Sequence, residues 1–291
     1  MIRFFDVTKR FSRRIWALKY VNLEIPKGAN VLLRGDSGAG KTTLLKMIYA
    51  MERPDKGHVM VAGRNIFKLR KSTIPYLRRQ IGFVFQDLRL MENRTIQENV
   101  IYPLQLRGVW GRKAKRRAEK AVELVGLKSN MNRRCKGLSM SEKQLLVLAR
   151  AVAGEPTLLL VDEPTAHMDS VGTSCVLNLL TQMNNSGTTV VLATGDDLVV
   201  ENFQASHVFE LNSGELELVK ELKEEKREGG EQGNVSSAGS DLKDVNPELI
   251  DARIGIDTEG RSKLGGMVPL TQITGIDQCR ADCGSGLYAG S

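Results

Sequence analysis

Apolar residues fall along this chain in two rhythms. Val31-Leu32-Leu33, Ile81-Gly82-Phe83-Val84-Phe85, Leu158-Leu159-Leu160-Val161, Thr188–Ala193 and Ser206–Leu211 are short apolar runs, the pattern of strands covered on both faces. Between them lie stretches of helical period: Leu44–Ile48, Ser72–Gln80, Thr95–Leu106, Lys113–Val125, Lys143–Ala153 and Val171–Met183. Such alternation predicts an α/β fold, a largely parallel sheet covered by helices. Ile2–Val7 and Tyr20–Ile25 instead alternate apolar with polar, and His58–Ala62 follows the turn Glu52–Gly57 as a further strand. Arg107-Gly108-Val109-Trp110-Gly111 reads as a hinge between two helices. The pattern dissolves near Glu221, which predicts a body over residues 1–220 and a tail over 221–291. Glu, Lys, Gly and Ser dominate that tail, so it is expected to be disordered to about Ile273, with one short helix at Glu248–Ile254.

Charge sharpens this division. The net +8 splits into 34 Lys+Arg against 21 Asp+Glu over residues 1–220, and 8 against 13 beyond. A body of net +13 suits a polyphosphate, and equally an anionic membrane face or nucleic acid. The basic run Arg112-Lys113-Ala114-Lys115-Arg116-Arg117 reads first as a solvated helix face, with phosphate or lipid head groups as the alternative. No apolar run approaches the ~20 residues that span a bilayer. Met1-Ile2-Arg3-Phe4-Phe5-Asp6 turns polar too soon for a secretory signal. Four cysteines without framework spacing point to a reducing compartment, and Cys279-x-x-x-Cys283 alone is weak support for a metal.

Chemistry enters with Gly35-Asp36-Ser37-Gly38-Ala39-Gly40-Lys41-Thr42-Thr43. It fits G-x-x-x-x-G-K-[ST], with a predicted strand before it and a helix after it. Glycines let backbone N–H groups curl round an anion, and the helix N-terminus adds positive potential. Lys41 then reaches β/γ-phosphates and the Thr42 hydroxyl can ligate Mg²⁺, so the motif implies a nucleoside triphosphate site. Asp162 and Glu163 end a buried strand, where carboxylates are costly unless partnered. In a P-loop protein the first suits Mg²⁺ and the second orients an attacking water. Gln86 closes another apolar strand, either as a metal or water ligand or as a solvated cap. Ser139-Met140-Ser141-Glu142 fits a capping box, with Ser139 either a plain cap or a phosphate contact. Phe11, taken alone, reads as core; an exposed ring there would stack on a base.

In this order the motifs resemble the ATP-binding subunits of ABC transporters: Walker A at Gly35–Thr43, Q-loop at Gln86, signature at Leu138–Glu142, Walker B at Leu158–Asp162 with Glu163, D-loop at Thr165–Asp169. The likeness covers about residues 1–219. Within the family the wording of Leu77–Leu90, Arg94–Val100 and Met51–Pro54 is most similar to the FtsE cell-division branch, whose partner is the integral membrane protein FtsX. The resemblance implies a P-loop NTPase fold: a parallel core sheet, a small antiparallel β subdomain and a helical subdomain. It implies ATP and Mg²⁺ as ligands, and a homodimer formed head to tail on ATP binding. It places the chain peripherally on the cytoplasmic face of the inner membrane. Phe11 would stack on adenine, Gln86 would sense Mg²⁺ and line the partner groove, Asp162 and Thr42 would hold the metal, Glu163 would polarise water, and Ser139 of the second copy would meet the γ-phosphate. No nucleic acid is expected, because DNA-acting relatives carry a long coiled coil where only about a hundred residues separate Walker A from the signature here.

Two departures predict slow hydrolysis. Met140 and Ser141 stand where the family signature has glycines, and Gly195 stands where it has a histidine; His207 is too far along to replace it. Losing one preorganised γ-phosphate contact commonly costs about 10²–10³ in rate. These departures leave as one alternative a nucleotide-switched interaction module with little turnover; the family resemblance leaves as another an ATPase of a lipoprotein- or macrolide-export transporter, both near relatives of the FtsE branch.

Overall fold

A computed structural model of the chain describes residues 1–12, 15–166 and 168–221. The expectations for the tail beyond residue 221, including Glu248–Ile254 and Cys279/Cys283, and for His167 of the D-loop, lie outside the described residues.

The strands are β1 (Ile2–Arg10), β2 (Trp16–Ile25), β3 (Asn30–Arg34), β4 (Lys56–Val61), β5 (Arg64–Asn65), β6 (Ile81–Val84), β7 (Leu158–Asp162), β8 (Thr189–Thr194), β9 (His207–Asn212) and β10 (Glu215–Glu221). The helices are α1 (Lys41–Ile48), α2 (Ile74–Arg79), α3 (Ile96–Leu106), α4 (Gly111–Leu124), α5 (Met140–Val152), α6 (Ser170–Asn185) and α7 (Asp197–Asn202). The strands form two sheets, ordered β2-β1-β4-β5 and β10-β9-β3-β8-β7-β6. In the second sheet β9, β3, β8, β7 and β6 run parallel, and β10 folds back antiparallel on β9.

The unbroken apolar runs follow from this layering. Leu32, Leu159, Val161, Val190 and Leu192 pack with residues of α3, α4, α5 and α6 on one face of the central sheet. Val31, Leu33, Leu158, Leu160, Val191 and Ala193 pack with α1 and the antiparallel sheet on the other. Successive residues of a strand point to opposite faces, so a strand covered on both sides has no polar positions. β1 has one covered face, burying Ile2, Phe4 and Val7. Two capping boxes fix helix starts: Thr95 with Glu98 opens α3, and Ser139 with Glu142 opens α5. α5 thus begins at Met140, three residues before the sequence period becomes legible. α7, β5 and β10 are additions to the expected elements. Among the described residues no helix is long and apolar enough to cross a membrane.

Candidate active site

Parallel strands deliver their C-terminal ends to one edge, and register decides which residues meet there. Arg34 of β3 pairs with Thr194 of β8, Ala193 of β8 with Asp162 of β7, and Val161 of β7 with Val84 of β6. The residues just past these pairs are Gly35, Gly195, Glu163 and, two beyond Val84, Gln86. Residues 35, 86, 163 and 195, distant in the sequence, thus share one rim.

The loop from Gly35 to Gly40 runs into α1, whose first turn holds Lys41, Thr42 and Thr43. Gly40 is the N-cap, with φ 113°, and a Cβ there would stand 2.2 Å from the Ala17 carbonyl oxygen. Only glycine fits both the angle and the approach of β2. Gly38 has φ +83° and open space around it, and Asp36 and Ser37 are exposed beside it, leaving backbone accessible at the helix N-terminus. Ala39 is buried, its N–H donating to Asp36 O at 3.1 Å. Lys41 is only 5% exposed. Its ammonium donates to Gly35 O at 2.6 Å and Asp36 O at 3.1 Å, and pairs with Glu163 Oε1 at 3.2 Å. A cation is thereby fixed on the axis of the loop.

The other Glu163 oxygen is fixed as firmly. Oε2 accepts from the Thr194 hydroxyl at 3.0 Å and from the Gly195 N–H at 3.3 Å. Thr194 Oγ1 itself accepts the Asp196 N–H at 3.0 Å, so its one proton is directed at Glu163. Thr165 Oγ1 in turn donates to Asp196 Oδ2 at 3.4 Å. Glu163 has φ 47°, a strained conformation for a residue with a Cβ, of the kind that clusters at active sites.

Asp162 lies beside it, 1% exposed. Burial pushes its carboxyl up, opposed by a hydrogen bond from Thr42. Among the described residues Oδ1 has no hydrogen-bond partner. A buried carboxylate oxygen left unpaired is costly, and together with the Thr42 hydroxyl it fits the oxygen donor set that a hard divalent cation takes when held by one carboxylate and substrate phosphates. No cluster of three His, Cys, Asp or Glu suited to a metal occurs among the described residues.

Gly195 faces this group. A Cβ there would stand 3.1 Å from Gly35 O, 3.6 Å from Lys41 Nζ and 3.8 Å from Glu163 Oε1. Its φ lies outside the left-handed region, so the backbone does not require glycine there. Phe11 is 57% exposed, which overturns the core reading. The Lys9 ammonium lies 5.5 Å from its ring centroid. It sits at the end of the β1–β2 hairpin, next to the pair Arg10–Trp16 and so a few residues from the Ala17 carbonyl that abuts Gly40. Gln86 is exposed on the rim. Ser139 is not joined to this group: its hydroxyl accepts the Glu142 N–H at 3.2 Å, and Glu142 Oε2 accepts the Ser139 N–H at 2.8 Å. Met140, half exposed, begins the helix beside it. Thr194 and Asp196 escaped the sequence reading; strand adjacency to Asp162 is the signal that finds them.

This arrangement suits a polyphosphate lying between a glycine loop and a lysine, with an oriented carboxylate able to polarise water. Comparison with known proteins agrees. Residues 18–166 match the ABC transporter family model. The chain is 40% identical over 196 residues to the cell division ATP-binding protein FtsE of Escherichia coli (strain K12), covering 67% of this chain and 88% of that protein. It is 38% identical over 217 residues to FtsE of Mycobacterium tuberculosis (strain H37Rv), covering 74% and 94%. Among solved structures, the dimeric post-hydrolysis state of the ATP-binding cassette MJ0796 bound to ADP and Pi superposes with TM-score 0.70 at 32% identity, over 76% of this chain and all of that one. The chain belongs to the ABC transporter family, as one of its ATP-binding, ATP-hydrolysing subunits.

Proposed function

We propose that this chain is the motor of an FtsE/FtsX-type complex, binding MgATP, dimerising on it and passing the change to an integral membrane FtsX-like subunit in cell division. The observation that carries the reading is the meeting of Lys41, Glu163 and the unpaired Asp162 oxygen at one rim. Gly35–Thr43 hold the phosphates, with Lys41 exchanging Glu163 for the β/γ-phosphates. Thr42 and Asp162, with Gln86, would hold Mg²⁺, which when bound would supply positive charge against the phosphoryl group. Glu163, freed from Lys41 but still held by Thr194, orients the attacking water. Phe11 supplies a ring for adenine, and Ser139 of a second copy closes the site. The relatives named FtsE and the dimeric cassette support the partner, the dimer and a peripheral place on the inner membrane's cytoplasmic face.

Met140 and Gly195 favour slow turnover without the partner, since both remove close contacts to the γ-phosphate. Phosphate release by the purified chain, alone and reconstituted with its membrane partner, tests this. Glu163→Gln is expected to lower turnover by about 10²-fold or more while ATP-driven dimerisation persists. An unchanged rate would overturn the mechanism.

A further inference from the structure

The basic run singled out in the sequence has no part in the site above, and α4 gives it a place. Ala114, Ala118, Ala121 and Val122 are all buried, so the apolar stripe of the helix is consumed in the core shared with α3 and α5. At 100° per residue Arg112, Lys113, Arg116 and Lys120 fall on the opposite side, together with the half-buried Glu119 and with Glu123, which pairs with Lys128. The first three are exposed and Lys120 is half-buried. Arg117 is neutralised by Glu155. Among the described residues, none of Arg112, Lys113, Lys115, Arg116 and Lys120 forms a salt bridge with a carboxylate within 4.0 Å. At the N-terminal end of α4 the hinge presents two large apolar side chains. Leu106 closes α3 and Trp110 caps α4, each 64% exposed.

We propose that the outer face of α4, with Trp110 and Leu106 at its end, is a contact surface for an anionic lipid bilayer. The pairing of chemistries selects the partner. Four cations without a salt-bridge partner among the described residues outnumber the two carboxylates on this side of the helix, and attract a negatively charged leaflet at up to about 1 kcal/mol each, roughly fivefold in partitioning per cation. An indole and an aliphatic chain beside them suit the boundary between head groups and acyl chains. A leucine offers a nucleic acid nothing to stack on. The apolar face of α4 stays packed, so the contact is electrostatic with shallow anchoring at the hinge. It needs no membrane protein, and so stands apart from the identity of the partner.

Flotation of the full chain with vesicles of phosphatidylcholine, with and without one-third phosphatidylglycerol, tests this. Binding is expected only to the anionic vesicles, and to weaken as salt rises. The combined change Arg112→Gln, Lys113→Gln, Arg116→Gln, Lys120→Gln is expected to weaken partitioning by about a hundredfold or more, with ATP binding unchanged. Exchanging Lys and Arg at the same four positions should preserve it. In a Trp16→Phe background Trp110 is the one remaining tryptophan, and its emission should shift to the blue on anionic vesicles. Equal flotation with neutral vesicles, or no loss in the glutamine variant, would overturn the proposal. So would vesicle binding that survives those changes while binding to a random DNA duplex is lost.

Discussion

Asp162 sits almost dry at the end of β7, and the Thr42 hydrogen bond offsets its burial only in part. Its carboxyl titrates above the unfolded value, so the folded state holds the proton more tightly. The ligand-free protein therefore loses stability as pH rises through this raised pKa and regains it as pH falls toward the unfolded value. Asp162→Asn removes that charge. It is expected to raise the nucleotide-free melting point by about 2–4 °C, the shift that roughly 1 kcal/mol gives at this size. The same variant should lose the stabilisation that MgATP confers on the native chain; calorimetry with and without MgATP reads both. Thr194 makes a different prediction. Its hydroxyl proton has one acceptor, Glu163 Oε2. Thr194→Val should lower kcat about tenfold, some 1.4 kcal/mol of barrier, with KM little changed, and Thr194→Ser should restore it. A parallel fall in ATP affinity would make Thr194 merely structural.

At the scale of elements, β6 shows how tightly the site is backed. Gly82 lies under α5, and a Cβ there would stand 2.7 Å from the Ala151 carbonyl oxygen and 2.9 Å from a Leu159 methyl. Gly82→Ala must push α5 off the sheet and should cost about 1–3 kcal/mol in chemical denaturation. Elements of this kind, covered on both sides, were legible because burial writes itself into every residue of the strand. β10 was less so: Glu215-Leu216-Glu217-Leu218 alternates too briefly to stand out, and with six of its seven residues exposed only Leu216 packs against the core. α7 is too short to show a period. The glycine loop and the acid pair were legible because their chemistry restricts them to few residue types. Thr194 was not, since its role comes from lying one strand away from Asp162, and register is a tertiary fact. Phe11 misled for the opposite reason: an aromatic is core by default, and only its place at the tip of the β1–β2 hairpin exposes it.

For the whole molecule, the open question is what completes a site whose signature serine caps its own helix. Ser139 and Met140 lie at the N-terminus of α5 and share no hydrogen bond with Lys41, Thr42 or Glu163 among the described residues. On the proposed reading a single chain supplies two half-sites, which a head-to-tail pair would make into two whole ones. The pairing is testable by complementation. Lys41→Ala ruins the loop half and Ser139→Arg the signature half, so each variant alone should be inactive. In an equal mixture half of the dimers join unlike chains, and one of their two sites is intact, so activity should recover to about a quarter of the native value. Met140→Gly with Gly195→His restores one contact from each half, and should raise turnover by about 10². If the mixture stays silent while Met140→Gly and Gly195→His still accelerate, the chain completes its site with some other subunit.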